Sequence, residues 1–136
     1  MINFDRIDSI STKSPVSDDE INLVQTKLNK KFPLSYMRFL KQTDGFLSDP
    51  VSLYSVSNLI EMNDTYEVDI YCPEYIHIGN NGGGSAVLIM EANHNDSKVY
   101  FCDQGSMTAD TMHIVGTDFI QWLESGCPRK YLTYVI

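Results

Sequence analysis

Residues 15–45, PVSDDEINLVQTKLNKKFPLSYMRFLKQTDG, decide the fold of this 136-residue chain. Ser17-Asp18-Asp19-Glu20 has the form of a capping box, in which the Ser17 hydroxyl accepts the Glu20 amide and Glu20 reaches back to Ser17. Asp18 and Asp19 fall in the first turn, where carboxylates favour the positive end of the helix dipole. Ile21, Val24 and Leu28 follow at i, i+3 and i+7 with Leu23 flanking them, which gives one apolar stripe. Lys27, Lys30 and Lys31 lie toward the far end, and Phe32-Pro33 stops the helix because proline cannot continue its hydrogen-bond ladder. A second helix runs from Ser35 as its cap to Gln42 and buries Tyr36, Phe39 and Leu40. Asp44-Gly45 closes it, since glycine enters the left-handed conformation at little cost. The first third of the chain therefore reads as a helical hairpin with a tight corner.

Upstream, Ile2, Phe4, Ile7 and Ile10 form the apolar side of a short N-terminal helix that Lys13-Ser14-Pro15 interrupts. Downstream the texture turns to strands. Val51–Tyr54 reads as a short strand, residues 57–61 as a helical turn, and Tyr75–Ile78 as a strand stopping at Gly79. The runs 85–91 (SAVLIME) and 98–102 (KVYFC) are β-rich and joined by a hairpin loop at 92–97; residues 112–115 add a further strand. Thr117 caps a final helix, 118–125, whose Phe119, Trp122 and Leu123 share one face, and Gly126 stops it. The apolar tail 131–136 packs on the body. Helices, then strands with short turns, then a helix specify an α+β fold: an antiparallel β-sheet flanked by helices, in one domain spanning 1–136.

Hydrophobic residues at 43% and charged residues at 21% exclude a disordered chain. The longest apolar run, Ala86 to Met90, is too short for a bilayer, and Asp5, Arg6 and Asp8 occupy the place of a signal-peptide core, so the cytoplasm is the expected location. The net charge of −8 is unevenly placed: residues 1–41 carry +2, whereas 42–128 hold Lys98 against thirteen carboxylates, a net of −12. A stretch so acidic argues against nucleic acid, whose phosphates need Lys and Arg, and suits a basic protein partner. The same acidity also serves solubility.

The candidate chemistry is sparse. Cys72, Cys102 and Cys127 are far apart with no CxxC, and read as buried thiols. Gly82-Gly83-Gly84 lacks the lysine of a phosphate loop and leads into a strand, so it reads as a turn needing positive φ. His77, His94 and His113 lack metal-ligand spacing, and neither metal nor cofactor is expected. Cys102 with Asp103 and His113 has the residue types of a thiol hydrolase, though its side chain is expected in the sheet core. The sharpest hint is the segment 61–74, EMNDTYEVDIYCPE. Glu61, Asp64, Glu67, Asp69 and Glu74 interleave with Tyr66 and Tyr71 and no basic residue, as in a protein-binding face where rings anchor and charges steer. The bland alternative is a solvated irregular loop with a buried tyrosine or two. Asp103, beside the glycine turn, is the next candidate for partner binding.

The order and spacing of these elements resemble the SUKH superfamily, the Smi/Knr-type domain. The resemblance rests on the capped helix at Ser17–Glu20, the corner Phe32-Pro33, Tyr36, Phe39-Leu40 and Asp44-Gly45. It continues through the glycine-rich turn 76–84, two strands ending near Asp103, and the closing Phe119-x-x-Trp122-Leu123 helix, about residues 15–125 in all. Phe32 stands where leucine is usual in the family and Asp44 where asparagine is common; both keep the physical role. The resemblance implies an α+β fold and a non-enzymatic protein-binding function. In bacteria that function is immunity, the neutralisation of a cognate toxin, often a nuclease, by direct binding. A regulatory protein-interaction module unrelated to toxins is the alternative, and it carries no catalytic constellation over to this chain.

Overall fold

A computed structural model of the chain describes residues 1–132. The capping box forms: the Glu20 amide donates to Ser17 Oγ (3.2 Å), and the Ser17 amide lies 3.5 Å from Glu20 Oε1. Helix α1 spans Asp18–Leu28 and buries Ile21 and Val24, but Leu23, expected beside the stripe, is exposed. α1 also ends before Phe32-Pro33. Asn29 takes the left-handed conformation at φ 54°, and the Asn29 and Lys30 amides donate back to the carbonyls of Thr26 and Gln25. This pair of bonds is a Schellman closure built on asparagine, which tolerates that conformation better than most residues. Helix α2 (Leu34–Leu40) begins after Pro33 with no side-chain cap; Ser35 lies inside its first turn and does not cap it.

Phe39 is the hub of the interior. Its ring centroid lies 6.0 Å from Phe4, 6.1 Å from Tyr36, 5.8 Å from Phe46 and 5.7 Å from Phe119. Tyr36, Phe39, Leu40, Phe119, Trp122 and Leu123 all belong to one buried cluster, as their spacing requires. The N-terminal segment joins this cluster through Ile2 and Ile7 but is not a helix. Its backbone groups find partners elsewhere: Gln42 bonds both the amide (2.9 Å) and the carbonyl (2.7 Å) of Ile2.

Among the described residues, one sheet carries seven strands in sequential order, every neighbouring pair antiparallel. Short strands β1 (Ser11–Thr12), β2 (Phe46–Leu47) and β3 (Ser52–Leu53) lead into β4 (Tyr75–Asn80), β5 (Ser85–Met90), β6 (Val99–Asp103) and β7 (His113–Gly116). β1 and β2 go beyond the sequence reading, because two residues are too few for an alternation to register. β4 runs through Gly79 rather than stopping there. A Cβ at Gly79 would sit 2.2 Å from the Ser52 carbonyl oxygen, so glycine lets β3 pair closely at this point. Between β5 and β6, residues 92–94 wind one short 3₁₀ turn.

The central strands bury both faces. Ile76, Ile78, Val87, Ile89, Val99 and Phe101 face the aromatic cluster under α1, α2 and α5 (Phe119–Glu124), together with Val56 and Leu59 from α3 (Val56–Thr65). On the opposite face, Ala86, Leu88, Tyr100 and Cys102 meet Val68 of the one-turn helix α4 (Val68–Tyr71), Cys72 and Met107. α5 is capped one residue later than the sequence indicated, by the Asp118 carboxylate accepting the Gln121 amide (3.0 Å), not by Thr117. Of the tail, Tyr131 stacks on His113 (4.1 Å) and the Leu132 amide donates to the Ile114 carbonyl (2.9 Å). Residues 133–136 lie outside the described residues.

Since Phe39 touches four other rings, Phe39→Ala should lower the unfolding free energy by about 3–5 kcal/mol, read from urea denaturation. A loss under about 1 kcal/mol would show that the cluster closes around the gap and that the ring is not its hub.

Candidate protein-binding face

The corner after α2 sets up this face. Gly45 has φ +72° and packs so tightly on β3 that a Cβ would lie 2.3 Å from the Leu53 carbonyl oxygen. That approach brings Asp44 to the start of α3, where its Oδ1 accepts the Val56 amide (2.8 Å). Ser55, the residue at the N-cap position, makes no capping bond of its own and instead donates through Oγ to the Asp44 carbonyl (3.1 Å). The helix that carries Glu61 and Asp64 is thus capped from the preceding corner.

Asn63 fastens the other end of α3 to the sheet. Its Oδ1 accepts the His77 amide (2.9 Å) and its Nδ2 donates to the His77 carbonyl (3.0 Å), so one buried side chain replaces a missing strand neighbour. The His77 ring is fully buried between Tyr54 and Tyr66, each 5.2 Å away edge-on, with Nε2 3.3 Å from the Tyr54 hydroxyl. Burial pushes its pKa down to about 4, against a smaller opposing effect from backbone groups of Gly79 and Met62. The imidazole is therefore neutral at pH 7.

Most of the acidic segment 61–74 is helical: residues 61–65 close α3 and Val68–Tyr71 form α4, with turns after each. Glu67 turns the chain with φ 55° and starts α4, whose Val68 packs inward beside Cys72. Ile70 and Tyr71 point the other way and are 67% and 53% exposed. A single helical turn that displays two large apolar side chains amid carboxylates has the make-up of a binding surface, an apolar centre with a charged rim. Lys30 holds this turn against the end of α1. Its side chain is only 5% exposed, its Nζ lies 3.1 Å from Asp69 Oδ1, and it donates to the Pro73 carbonyl. Asp69, although 76% exposed, is thereby paired, whereas Asp64 and Glu67 make no ion pair among the described residues.

The predicted residues fall into three places. Asp64, Glu67 and Asp69 line a recess against α1 together with Lys27, Lys30 and Ile70. Tyr66, Glu67 and Tyr71 form one wall of a second cleft, of about 360 Å³, whose other wall is the 104–108 loop. Asp103 belongs to neither: its Oδ1 accepts the Gly105 amide (2.8 Å), and it faces Gly83, Gly84 and His113. Glu61 and Glu74 are exposed and line neither opening. In the sequence Lys30 shows only a cation near a helix end and Asn63 carries no local signal, because their partners lie 39 and 14 residues away.

The other chemistry does not assemble. Gly82 and Gly84 have positive φ, and the Asn80 and Asn81 side chains accept the Gly82, Gly83 and Ser85 amides, so three of the turn's donors are spent internally rather than turned toward a phosphate. Cys102 is buried with Sγ 3.1 Å from Thr111 Oγ1, and burial raises its thiol pKa, the reverse of what a nucleophile needs. His113 pairs opposite Phe101, on the other side of the strand from Cys102. Among the described residues no helix is long and apolar enough to cross a membrane.

Residues 15–125 match the SMI1 / KNR4 family (SUKH-1), the same span over which the sequence elements line up. The chain belongs to this family. SUKH domains are generally immunity or interaction modules without enzymatic activity. The chain is also 34% identical over 77 residues to YnaB of Bacillus subtilis (strain 168), described as an uncharacterized protein. That match covers 56% of this chain and 51% of YnaB, so the chain spans about half the length of this curated relative.

Two outcomes follow from the geometry. His77 stays neutral in the folded state to far lower pH than the 6.5 of a free imidazole. The unfolded state therefore gains a proton first. Its contribution is complete above pH 6.5 and should fall by about 3 kcal/mol as the pH drops toward 4, most cleanly between 6.5 and 5, before most carboxylates titrate. Urea midpoints across that interval check it, and an unchanged midpoint would remove the buried neutral imidazole from the picture. Lys30→Met should free α4, speeding amide exchange at Tyr71 and Cys72, whose amides bond within the turn, while β5 and β6 keep their protection.

Proposed function

We propose that this SUKH domain is a non-enzymatic immunity protein that acts in the cytoplasm by binding and blocking a basic toxin domain. The observation that carries the reading is the α3–α4 ridge, where exposed Ile70 and Tyr71 stand within a rim of Asp64, Glu67 and Glu74. Exposed carboxylates steer a cationic partner and raise its association rate, while partly desolvated rings set how long it stays. Family membership supports the protein-binding part of this reading. The acidity of residues 42–128 supports a basic partner. A regulatory interaction module would use the same ridge on a partner that is not toxic.

Affinity capture with the full chain, followed by expression of the captured protein in a host cell, separates the two. A captured protein that arrests growth, and is relieved by co-expression of this chain, supports immunity; a harmless one supports regulation. The ridge itself is tested by the triple reversal D64K/E67K/E74K, which leaves the Lys30–Asp69 pair intact. Association with the captured partner should slow at low salt, and the difference should shrink as the Debye length falls from ~10 Å at 0.1 M to ~3 Å at 1 M. Thermal stability should hardly change, because exposed charges contribute little to it. An unchanged low-salt association rate would place the interface elsewhere.

A further inference from the structure

The cleft between α4 and the 104–108 loop is lined by aromatic rings, hydroxyls and one carboxylate. Tyr66, Glu67 and Tyr71 make up one wall, and none of the lining side chains is cationic. The facing loop has turned its donors inward. The amides of Gln104, Gly105, Ser106 and Thr108 donate to Gly84 O (2.9 Å), Asp103 Oδ1 (2.8 Å), Asp103 O (3.0 Å) and Ser106 O (2.8 Å). The carbonyls of Gln104, Gly105 and Met107 accept no hydrogen bond among the described residues. The cleft therefore offers the Glu67 carboxylate, two phenol rings, free carbonyls and the hydroxyls of Thr65, Ser106 and Thr108, which accept as readily as they donate; of the loop amides only that of Met107 has no acceptor among the described residues.

An anion would meet Glu67 with nothing to balance it, and an apolar ligand would leave the carbonyls and the carboxylate desolvated and unpaired. A metal ion would want several converging ligands, and the described residues hold no group of three or more His, Cys, Asp or Glu placed for one. What satisfies the whole lining is a planar cation that carries only donors and can lie against aromatic rings. Guanidinium has these properties; an ammonium has the charge but neither the plane nor the five-donor fork. The opening of about 360 Å³ accommodates one long side chain.

We propose that this cleft receives an arginine side chain presented by the protein partner. The proposal rests on the reading of the chain as a protein-binding domain and adds the chemistry of the contact: Glu67 pairs with the guanidinium, Tyr66 and Tyr71 flank it, and loop carbonyls take its remaining donors.

N-acetyl-arginine amide titrated into the isotope-labelled full chain at low salt tests it without the natural partner. Saturable shifts are expected in the amides of residues 104–108 and the ring signals of Tyr66 and Tyr71, with N-acetyl-lysine amide weaker by about fivefold or more. Glu67→Gln and Tyr71→Leu should each weaken arginine by a similar factor; Tyr71→Leu keeps the apolar bulk and removes only the ring. The absence of saturable shifts up to ~100 mM, a range that would reveal even millimolar binding, overturns the proposal. So do equal shifts from both cations spread along the acidic ridge, which would mean unselective attraction. If the cleft stays silent while the ridge reversal slows partner association, the proposed function stands and this inference falls. If arginine saturates the cleft while the reversal, which replaces Glu67 as well, leaves partner association unchanged, the partner does not use the cleft and this inference falls together with the ridge.

Discussion

The contact between the Phe39 ring and its four aromatic neighbours is the constraint on which the rest of the structure depends. Tyr36 shares α2 with Phe39, while Phe4, Phe46 and Phe119 come from the N-terminal segment, β2 and the closing helix, so one ring ties α2 to three other pieces of chain. Once α2 is fixed, the chain must reverse within Thr43-Asp44-Gly45 to start the sheet. The reversal is held by Thr43, whose Oγ1 donates to the Gly45 carbonyl (2.6 Å) and accepts the Lys13 amide (2.9 Å). From that corner the Asp44 carboxylate reaches the first amide of α3. The position of the acidic ridge is thus inherited from an apolar core through a single turn.

The two faces of the sheet are held by different physics. The side under α1, α2 and α5 is closed by area and shape, and its aromatic contacts depend little on pH or salt. The other side is closed by fewer apolar groups and by polar ones: Asn63 clamped to the His77 backbone, the imidazole between two tyrosines with its Nδ1 lacking a partner among the described residues, and Lys30 shared by Asp69 and the Pro73 carbonyl. Buried polar groups of this kind fix a unique arrangement but lose heavily when one partner goes. The proposed binding face is built on the more conditional of the two sides.

Much of the fold was legible because its signals are local. The Ser17–Glu20 box, the Tyr36/Phe39/Leu40 spacing, the glycine of the corner and the Phe119/Trp122/Leu123 face all act within a turn or two, and all appear in place. What was not legible depends on distant partners. The N-terminal apolar residues look helical by spacing, yet Gln42 takes the hydrogen bonds that a helix would have used. Asn29 could stop α1 early because both closing bonds were available, a competition with Phe32-Pro33 that spacing does not decide. In the candidate site the carboxylates and tyrosines were visible as a composition. Their division between a recess, a cleft and the separate surroundings of Asp103 follows from where α4 and the 104–108 loop come to rest.

Helix α4 keeps its fixed and its free positions apart. Val68 and the adjacent Cys72 face the sheet, and Asp69 answers Lys30, so what holds the turn in place lies inward and sideways. Ile70 and Tyr71 take no part in that hold, and neither do the side chains of Asp64 and Glu74. If the proposed ridge is the interface, replacing them alters what the domain recognises without disturbing how it folds. The turn is then a socket with an exchangeable key: one scaffold matched to a different partner by rewriting a few nearby codons.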